Sequence, residues 1–270
     1  MNKILLTYSK MAMLLALMVG FSSCDKNDNF TPLFSVEDDK ALGAQVSQEI
    51  ANDPQFDLIQ ENENPEAYQY LNAMVTEILN SGKVAYRDEF VWKVTLVNDD
   101  DVLNAFATPG GYIYVYTGLI KYLESADALA GVLGHEIAHA DLRHTSRNLQ
   151  KQYTVDVLLS VLLGNNARQL TQIASDIAKG AAYLKFSREY EQESDDKSVE
   201  YLANTLYACN GAAFFFESLL AEDQTSPPEF LSTHPSPENR VADINTKAST
   251  EGCDTSLAEN AGYDAFKGML

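Results

Sequence analysis

The chain has 270 residues, of which 46% are hydrophobic, and this composition can fill a folded core, which excludes wholesale disorder and a fibrous repeat. Its 39 acidic residues against 19 Lys and Arg give a formal net charge of −20, which argues against nucleic acid as a partner and against docking on anionic lipid through a basic patch. The length fits one domain with appendages. Only four histidines are present, so histidines at a fixed spacing are informative.

The first 23 residues have the pattern of a cleaved signal peptide. Two lysines precede an apolar run at Met11–Phe21, which is shorter than the roughly 20 residues that cross a bilayer. The residues up to Cys24 resemble a bacterial lipobox, which predicts that Cys24 is lipidated. The protein would then be an envelope protein anchored to a membrane, and we expect the outer membrane. The alternative is an ordinary signal peptide and an incidental cysteine. We predict that residues 24–35 are an acidic tether and that residues 36–270 form the folded domain.

The spacing of apolar residues then predicts the elements of the domain in chain order. Helices are expected at 36–51 and 68–79, strands at 90–97, 105–107 and 112–116, the last antiparallel to a neighbour, and mainly helix from 117 to about 222. Val155–Leu163 is strongly apolar but short and interrupted by Asp156, which predicts a buried helix or hairpin and not a membrane span.

The segment Ala126–Ala140 predicts a helix that is apolar nearly all round, yet it contains the sequence HEIAH. His135 and His139 are four residues apart, so both imidazoles leave the same face one turn apart. Two neutral imidazoles at this spacing can bind one Zn²⁺, with Glu136 beside them as the general base for a water molecule. A chance match is the alternative, but unpaired polar side chains on a buried helix would be costly.

A hydrolytic zinc site takes a third protein ligand, for which the sequence offers two candidates. His144 lies five residues beyond His139, which is another face of a continuous helix, so we expect it in the second coordination sphere or on the surface. Glu191 and Asp195 lie four residues apart on a later predicted helix. Glu191 could therefore bind the metal while Asp195 accepts the N–H of a ligand histidine. By spacing alone, a solvated acidic face explains Glu191 equally well.

Cys209 and Cys253 are the two cysteines outside the leader region. In an exported protein they could form a disulfide, and the alternative is a pair of buried free thiols. The sequence leaves both alternatives open.

Three separated motifs together resemble one known family. They are HEIAH at 135–139, SREYEQESD at 187–195 and STHPSPENR at 232–240. In this order they resemble the zinc metallopeptidases related to HtpX and the type I CAAX prenyl proteases, and most closely their soluble periplasmic lipoprotein members of the LoiP and BepA type. The resemblance extends from about Val36 to Ile244.

The resemblance implies an α+β fold that is mostly helical, gluzincin-like, with a small antiparallel sheet next to the HExxH helix. It implies a single Zn²⁺ bound by His135, His139 and Glu191, with Glu136 as the catalytic base and Asp195 behind the ligands. It places His234 and Arg240 near the metal, where either could act in catalysis by stabilising an oxyanion, and His234 could instead cap zinc as a fourth ligand in a latent state. The edge strand that pairs with an extended peptide would comprise Asn104, Ala105, Phe106 and Ala107.

These inferences together predict a zinc endopeptidase of the bacterial cell envelope that hydrolyses extended or misfolded proteins and contributes to protein quality control. The expected partners are polypeptide substrates, together with a membrane that is reached through the lipid anchor only. The alternative function is a latent or weakly proteolytic assembly factor or chaperone that uses the same fold to bind partners.

Overall fold

The computed structural model describes residues 34–179, 185–221, 229–235, 239–258 and 260–270. The expected signal peptide, the lipidation site Cys24 and the tether as far as residue 33 lie outside these ranges and stay predictions. Phe34 is only 3% exposed, and the Ser35 hydroxyl accepts a hydrogen bond from the backbone N–H of Asp38. Phe34 is therefore buried against the folded residues, and the exposed Ser35 caps the helix that follows it.

Helices dominate the described residues. They are α1 (Val36–Asn52), α2 (Pro65–Leu79), α3 (Thr117–Tyr122), α4 (Ala126–Asp141), α5 (His144–Gln152), α6 (Val155–Leu162), α7 (Ala167–Ala178), α8 (Arg188–Leu202), α9 (Gly211–Ala221), α10 (Glu229–Thr233), α11 (Arg240–Glu251) and α12 (Ala261–Lys267). Serine side chains cap the N-termini of three of them, because Ser35, Ser125 and Ser187 each accept a backbone N–H from the first turn. The expected class, mostly helical with a small sheet, is confirmed.

The strands are β1 (Leu58–Ile59), β2 (Lys93–Val97), β3 (Ala105–Thr108) and β4 (Tyr112–Tyr116), and they form one sheet in the order β1-β2-β4-β3. β3 and β4 form an antiparallel hairpin, but β2 and β4 are parallel. The sheet is therefore mixed, whereas a wholly antiparallel one was expected. The hairpin reverses the chain after β2, and it is the returning strand β4 that pairs with β2.

The turn of this hairpin requires glycine. Gly110 and Gly111 have φ angles of 77° and 86°, which a residue with a side chain rarely adopts. Space is equally restrictive, since a Cβ on Gly110 would lie 2.9 Å from the Cα of Lys40 in α1. The turn thus fixes strand β3 against helix α1.

Helix α4 is the centre of the main core, and all of its residues from Ala126 to Asp141 are buried. It packs against α8, α9 and β3. The approach to α9 is close, since a Cβ on Gly131 would lie 1.9 Å from the backbone nitrogen of Ala212. Glycine therefore allows the two helix backbones to touch, and this contact sets the position of the HEIAH segment.

A buried carboxylate at the end of α4 anchors the helix in the fold. Asp141 accepts backbone N–H groups from Ala85 and Tyr86 at 3.0 and 2.7 Å. It also accepts the hydroxyl of Tyr201 in α8 at 2.7 Å. Three hydrogen bonds satisfy this carboxylate inside the protein, so the end of α4 is held at a defined position against α8.

A second core cluster joins α1 to α6, α7 and one face of the sheet. In the apolar segment that predicted a buried helix, Leu158 and Val161 are buried, but Val155, Leu159 and Leu163 are exposed. The helix is thus half-buried. Within the described ranges, no helix combines the length and the apolar composition that crossing a membrane requires.

Cys209 and Cys253 form a disulfide, with their Cα atoms 6.2 Å apart. The bond joins the residues before α9 to the residues after α11, and the backbone N–H of Cys209 donates to the carbonyl of Asp254 alongside it. Of the two alternatives that the sequence left open, the structure has the bonded pair.

Replacing Cys209 and Cys253 together with alanine should lower the free energy of unfolding by about 2–4 kcal/mol, because the bond closes a loop spanning 44 residues. Urea unfolding followed by circular dichroism, with and without dithiothreitol, measures this. Reductant should bring the wild type to the level of the double variant and leave the double variant unchanged. Both proteins keep Cys24, so any effect of reductant on Cys24 is the same in both. A wild type whose free energy of unfolding does not change with reductant would contradict the bonded pair.

Candidate metal centre

Helix α4 supplies the first two candidate ligands. His135 and His139 are 1% and 0% exposed, and their Nε2 atoms lie 2.9 Å apart. The regular helix puts both imidazoles on one face, as their spacing predicted. Two ring nitrogens thus converge on one point in the interior.

Helix α8 brings a carboxylate to the same point. Glu191 is 0% exposed, and its two carboxylate oxygens lie 3.5 Å from His135 Nε2 and 3.4 Å from His139 Nε2. Glu191 is therefore not part of a solvated acidic face of the helix, which was the alternative that its spacing alone allowed.

A third imidazole reaches the cluster from the residue after α10. His234 Nδ1 lies 3.3 Å from His135 Nε2 and 3.0 Å from a carboxylate oxygen of Glu191. Its ring stacks on Phe230 at 4.3 Å between centroids, and its backbone N–H donates to the Phe230 carbonyl. The four potential donors, from His135, His139, Glu191 and His234, all lie within 4.8 Å of one another.

This donor set fits a tetrahedral metal ion. Bonds of about 2.0–2.1 Å from a central zinc would place neighbouring ligand atoms roughly 3.3 Å apart, which matches the separations above. Oε2 of Glu191 is buried and lies 3.0 Å from Nη1 of Arg240 and 3.5 Å from His135 Nε2. A cation between the donors would give this buried carboxylate a further favourable partner, since a buried charge is costly without opposite charge beside it.

The charge states of two of the donors suit a cation, whereas at His135 burial lowers the pKa of the imidazole but Asp195 and Glu191 together raise it above its usual value. Burial lowers the pKa of the His139 imidazole well below its usual value, so the ring is neutral. Burial alone would raise the pKa of Glu191, but His234, His135 and His139 together lower it well below its usual value. Neutral imidazole and ionised carboxylate are the forms that bind metal.

Behind the donors, Asp195 and Arg240 hold them in place. Asp195 Oδ1 lies 2.8 Å from His135 Nδ1, which is the contact that the spacing on α8 predicted. The Arg240 guanidinium donates to both oxygens of Asp195, at 2.6 and 2.8 Å, and its Nη1 lies 3.0 Å from Glu191. The guanidinium also lies over the ring of Phe216, at 4.0 Å. The Arg240 guanidinium thus binds the carboxylates of Asp195 and Glu191.

Glu136 lies next to the donors but has no hydrogen-bond partner among the described residues. Its Oε1 lies 3.4 Å from His234 Nε2. Burial raises the pKa of Glu136 to about 7. A carboxyl group with this pKa can exchange a proton near neutral pH, which is what a general base must do.

His144 lies in the second coordination sphere, directly behind His139, which is one of the two positions expected for it. It is 0% exposed, and its Nδ1 lies 3.0 Å from Nδ1 of His139. The prediction of a different helix face assumed that α4 continues, but α4 ends at Asp141 and Arg143 takes a left-handed conformation with φ 60°. The sequence has no glycine there to signal the reversal; Arg143 is held instead by hydrogen bonds to Asp39 and to the carbonyl of Phe34.

Strand β3 contains three of the four expected substrate-binding residues, and Asn104 precedes it. Its only strand neighbour among the described residues is β4, so its other edge pairs with no strand, although all four of its residues are buried. Tyr116 donates to the Asn104 carbonyl, and the alternation of an antiparallel pair then directs the backbone groups of Ala105 and Ala107 to the unpaired edge. The Ala107 carbonyl accepts a hydrogen bond from the Thr145 hydroxyl, at 3.2 Å.

Aromatic side chains around the histidines were not predicted. Phe186 stacks on His139, with centroids 3.8 Å apart, as Phe230 does on His234. Phe186 and Phe106 also line a cavity of about 30 Å³ beside His234. Phe186 lies one residue before the SREYEQESD motif, but an isolated phenylalanine gives no signal of its own in the sequence.

Residues 49–248 match the model of Peptidase family M48. The chain is 31% identical over 201 residues to the beta-barrel assembly-enhancing protease of Escherichia coli (strain K12), covering 68% of this chain and 39% of that protein. It is 30% identical over 159 residues to metalloprotease YcaL of the same organism, covering 58% and 61%. It is 34% identical over 149 residues to the mitochondrial metalloendopeptidase OMA1 of Arabidopsis thaliana, covering 55% and 30%.

The chain spans about two fifths of the length of the first of these relatives. The matched range nevertheless contains the HEIAH helix, Glu191 and His234, and it covers most of the chain. The chain therefore belongs to peptidase family M48.

Proposed function

We propose that the protein is a zinc-dependent endopeptidase of the cell envelope. The observation that supports this best is the buried set of four donor groups next to a carboxylate, Glu136, that has no hydrogen-bond partner among the described residues. Membership of the M48 family supports a metallopeptidase in general, and zinc is the ion that this donor set fits.

His135, His139 and Glu191 would hold the zinc ion, which would supply Lewis acidity and lower the pKa of a bound water. Glu136 would take the proton of the attacking water and then deliver it to the amine that leaves the scissile peptide bond. Its burial beside the donors, with its pKa raised to about 7, suits a group that first accepts and then donates a proton.

An extended peptide would bind along the unpaired edge of β3, through the outward backbone groups of Ala105 and Ala107, once the groups that cover this edge, among them the Thr145 hydroxyl on the Ala107 carbonyl, move aside. Strand β3 packs against α4, the helix of Glu136. Main-chain pairing of this kind is largely independent of sequence, so the proposed substrates are extended or misfolded polypeptides.

His234 had two expected roles, and the geometry favours one of them. Its Nδ1 lies among the donor atoms, 3.0 Å from Glu191 and 3.3 Å from His135. We therefore propose that His234 caps the metal as a fourth ligand in a latent state and moves away to admit the substrate. Arg240 is held by Asp195 and Glu191, so we propose that it positions these carboxylates and does not bind the oxyanion as the sequence suggested.

The envelope location is part of the same proposal. It is supported by the leader pattern before Cys24, which predicts a lipoprotein, and by the disulfide, since such bonds persist in oxidising compartments. A latent or weakly proteolytic assembly factor is the second candidate function. The position of His234 among the donor atoms favours it, because a capped metal has no place for water.

The substitution Glu136→Gln should lower hydrolysis of casein by at least about 100-fold while leaving the zinc content unchanged, because it removes the proton acceptor but no ligand. Casein cleavage and metal analysis of the same preparations measure both quantities. Full activity in this variant would contradict the role of Glu136 as the base. Loss of zinc would indicate that Glu136 is itself a metal ligand.

The substitutions His135→Ala and Glu191→Ala should each reduce bound zinc from about one per chain to a small fraction, since each removes one of three protein ligands. The matched control is Glu189→Ala, which removes an exposed carboxylate near the start of α8. Metal analysis after dialysis gives the result, and one zinc per chain in both ligand variants would refute the ligand set.

The substitution His234→Ala should raise the initial rate of casein hydrolysis several-fold if the imidazole caps the metal, because it opens the fourth position. The measurement compares rates for the wild type and the variant at equal zinc content, and a chelator abolishes both. A fall in kcat at unchanged zinc content would instead assign His234 to the oxyanion.

A further inference from the structure

The second ligand histidine does not contact a carboxylate behind it, as His135 does, but another imidazole. His139 Nδ1 lies 3.0 Å from His144 Nδ1, and both residues are 0% exposed. On its far side, His144 Nε2 lies 3.2 Å from a carboxylate oxygen of Glu193. Glu193, His144 and His139 thus form a continuous line of hydrogen bonds that ends at the candidate metal centre.

The protons in this line can be placed by elimination. Two ring nitrogens 3.0 Å apart attract each other only when one has a hydrogen and the other a lone pair. The ionised Glu193 carboxylate only accepts, so Nε2 of His144 must have a hydrogen. Nε2 of His139 faces the donor cluster, so its other nitrogen, Nδ1, can have the hydrogen and donate it to the lone pair of His144 Nδ1, 3.0 Å away. His139 is left with its own lone pair on Nε2, the atom that faces His135 and Glu191.

We propose that His144, held by Glu193, is a positioning residue that fixes His139 in the tautomer able to bind metal. The inference rests on the proposed metal site, and it assigns a role to the one histidine of the chain that the proposed mechanism does not use. Histidine ligands commonly have such partners, whose loss weakens metal binding by about 10–100-fold.

The fold holds His144 firmly enough for this role. The left-handed Arg143 turns the chain back after α4 and places His144 at the first position of α5. The imidazole stacks almost parallel on the ring of Tyr190, with centroids 4.1 Å apart, and Ser194 Oγ lies 3.3 Å from its Nδ1. Tyr190, Glu193 and Ser194 all lie on α8, so the helix that supplies Glu191 also supports the other side of His139.

The tautomers can be observed directly by nuclear magnetic resonance. The chain has four histidines, so a long-range ¹H–¹⁵N spectrum of protein labelled at the imidazole nitrogens is simple, and the variants His135→Ala, His144→Phe and His234→Ala assign three signals and leave the fourth to His139. In metal-free protein, we expect His139 to be protonated at Nδ1 and His144 at Nε2. In His144→Phe, His139 should lose its single tautomer. A wild-type His139 protonated at Nε2, or a tautomer that is unchanged in His144→Phe, would overturn the inference.

Zinc affinity, measured by competition with a chelator, gives a second readout. His144→Phe keeps an aromatic ring against Tyr190 but has no acceptor, so the Kd for zinc should rise about 10–100-fold. His144→Gln offers an amide oxygen to His139 and should lie closer to the wild type. Thermal unfolding of the metal-free proteins shows whether each variant is folded, and equal affinity of a folded His144→Phe and the wild type would overturn the inference.

The contribution of Glu193 is tested with a matched pair on α8. Glu193→Lys removes the acceptor of the His144 N–H and should raise the Kd for zinc several-fold. Glu189→Lys makes the same charge change at an exposed position of the first turn and should have little effect. Equal effects of the two would overturn the role of Glu193. These outcomes are separable from failure of the proposed function, in which the wild type itself would not bind zinc.

Discussion

The polar cluster at the middle of α4 has to be satisfied entirely within the protein, because every residue of that helix is buried. Two imidazoles and a carboxylate without access to water would destabilise an apolar helix by several kcal/mol if they remained unpaired. The partners come from α8 and the start of α11, which place Glu191, Asp195 and Arg240 around His135. Among the described residues, both carboxylate oxygens of Glu136 are buried beside this cluster without a hydrogen-bond partner.

This arrangement depends on how closely the helices approach one another. Gly131 lets α4 touch the backbone of α9, and Asp141 joins the end of α4 to Tyr201 of α8. Interiors are packed as densely as crystals, so small shifts at these contacts would move the donor atoms by comparable amounts. The contacts that hold α4 against α8 and α9 therefore also set the geometry of the site.

The part of the site that follows from helical spacing could be predicted from the sequence. His135 and His139, and likewise Glu191 and Asp195, lie four residues apart on regular helices, and their side chains meet as expected. The sequence left His144 either in the second coordination sphere or on the surface, and it could not decide between them, because the position depends on where α4 ends and on a left-handed Arg143 that is held by distant residues. The parallel pairing of β2 and β4 was missed for a similar reason, since strand order is decided by tertiary packing and not by the alternation of side chains.

The central claim is that the four buried donor groups bind one metal ion, and anomalous diffraction at the zinc absorption edge tests it most directly. Crystals of protein purified without chelators should give a single strong anomalous peak between His135, His139 and Glu191, with His234 Nδ1 in contact in the latent state. An absence of any peak there, or a zinc ion bound elsewhere on the chain with these four side chains bonded only to one another, would contradict the account.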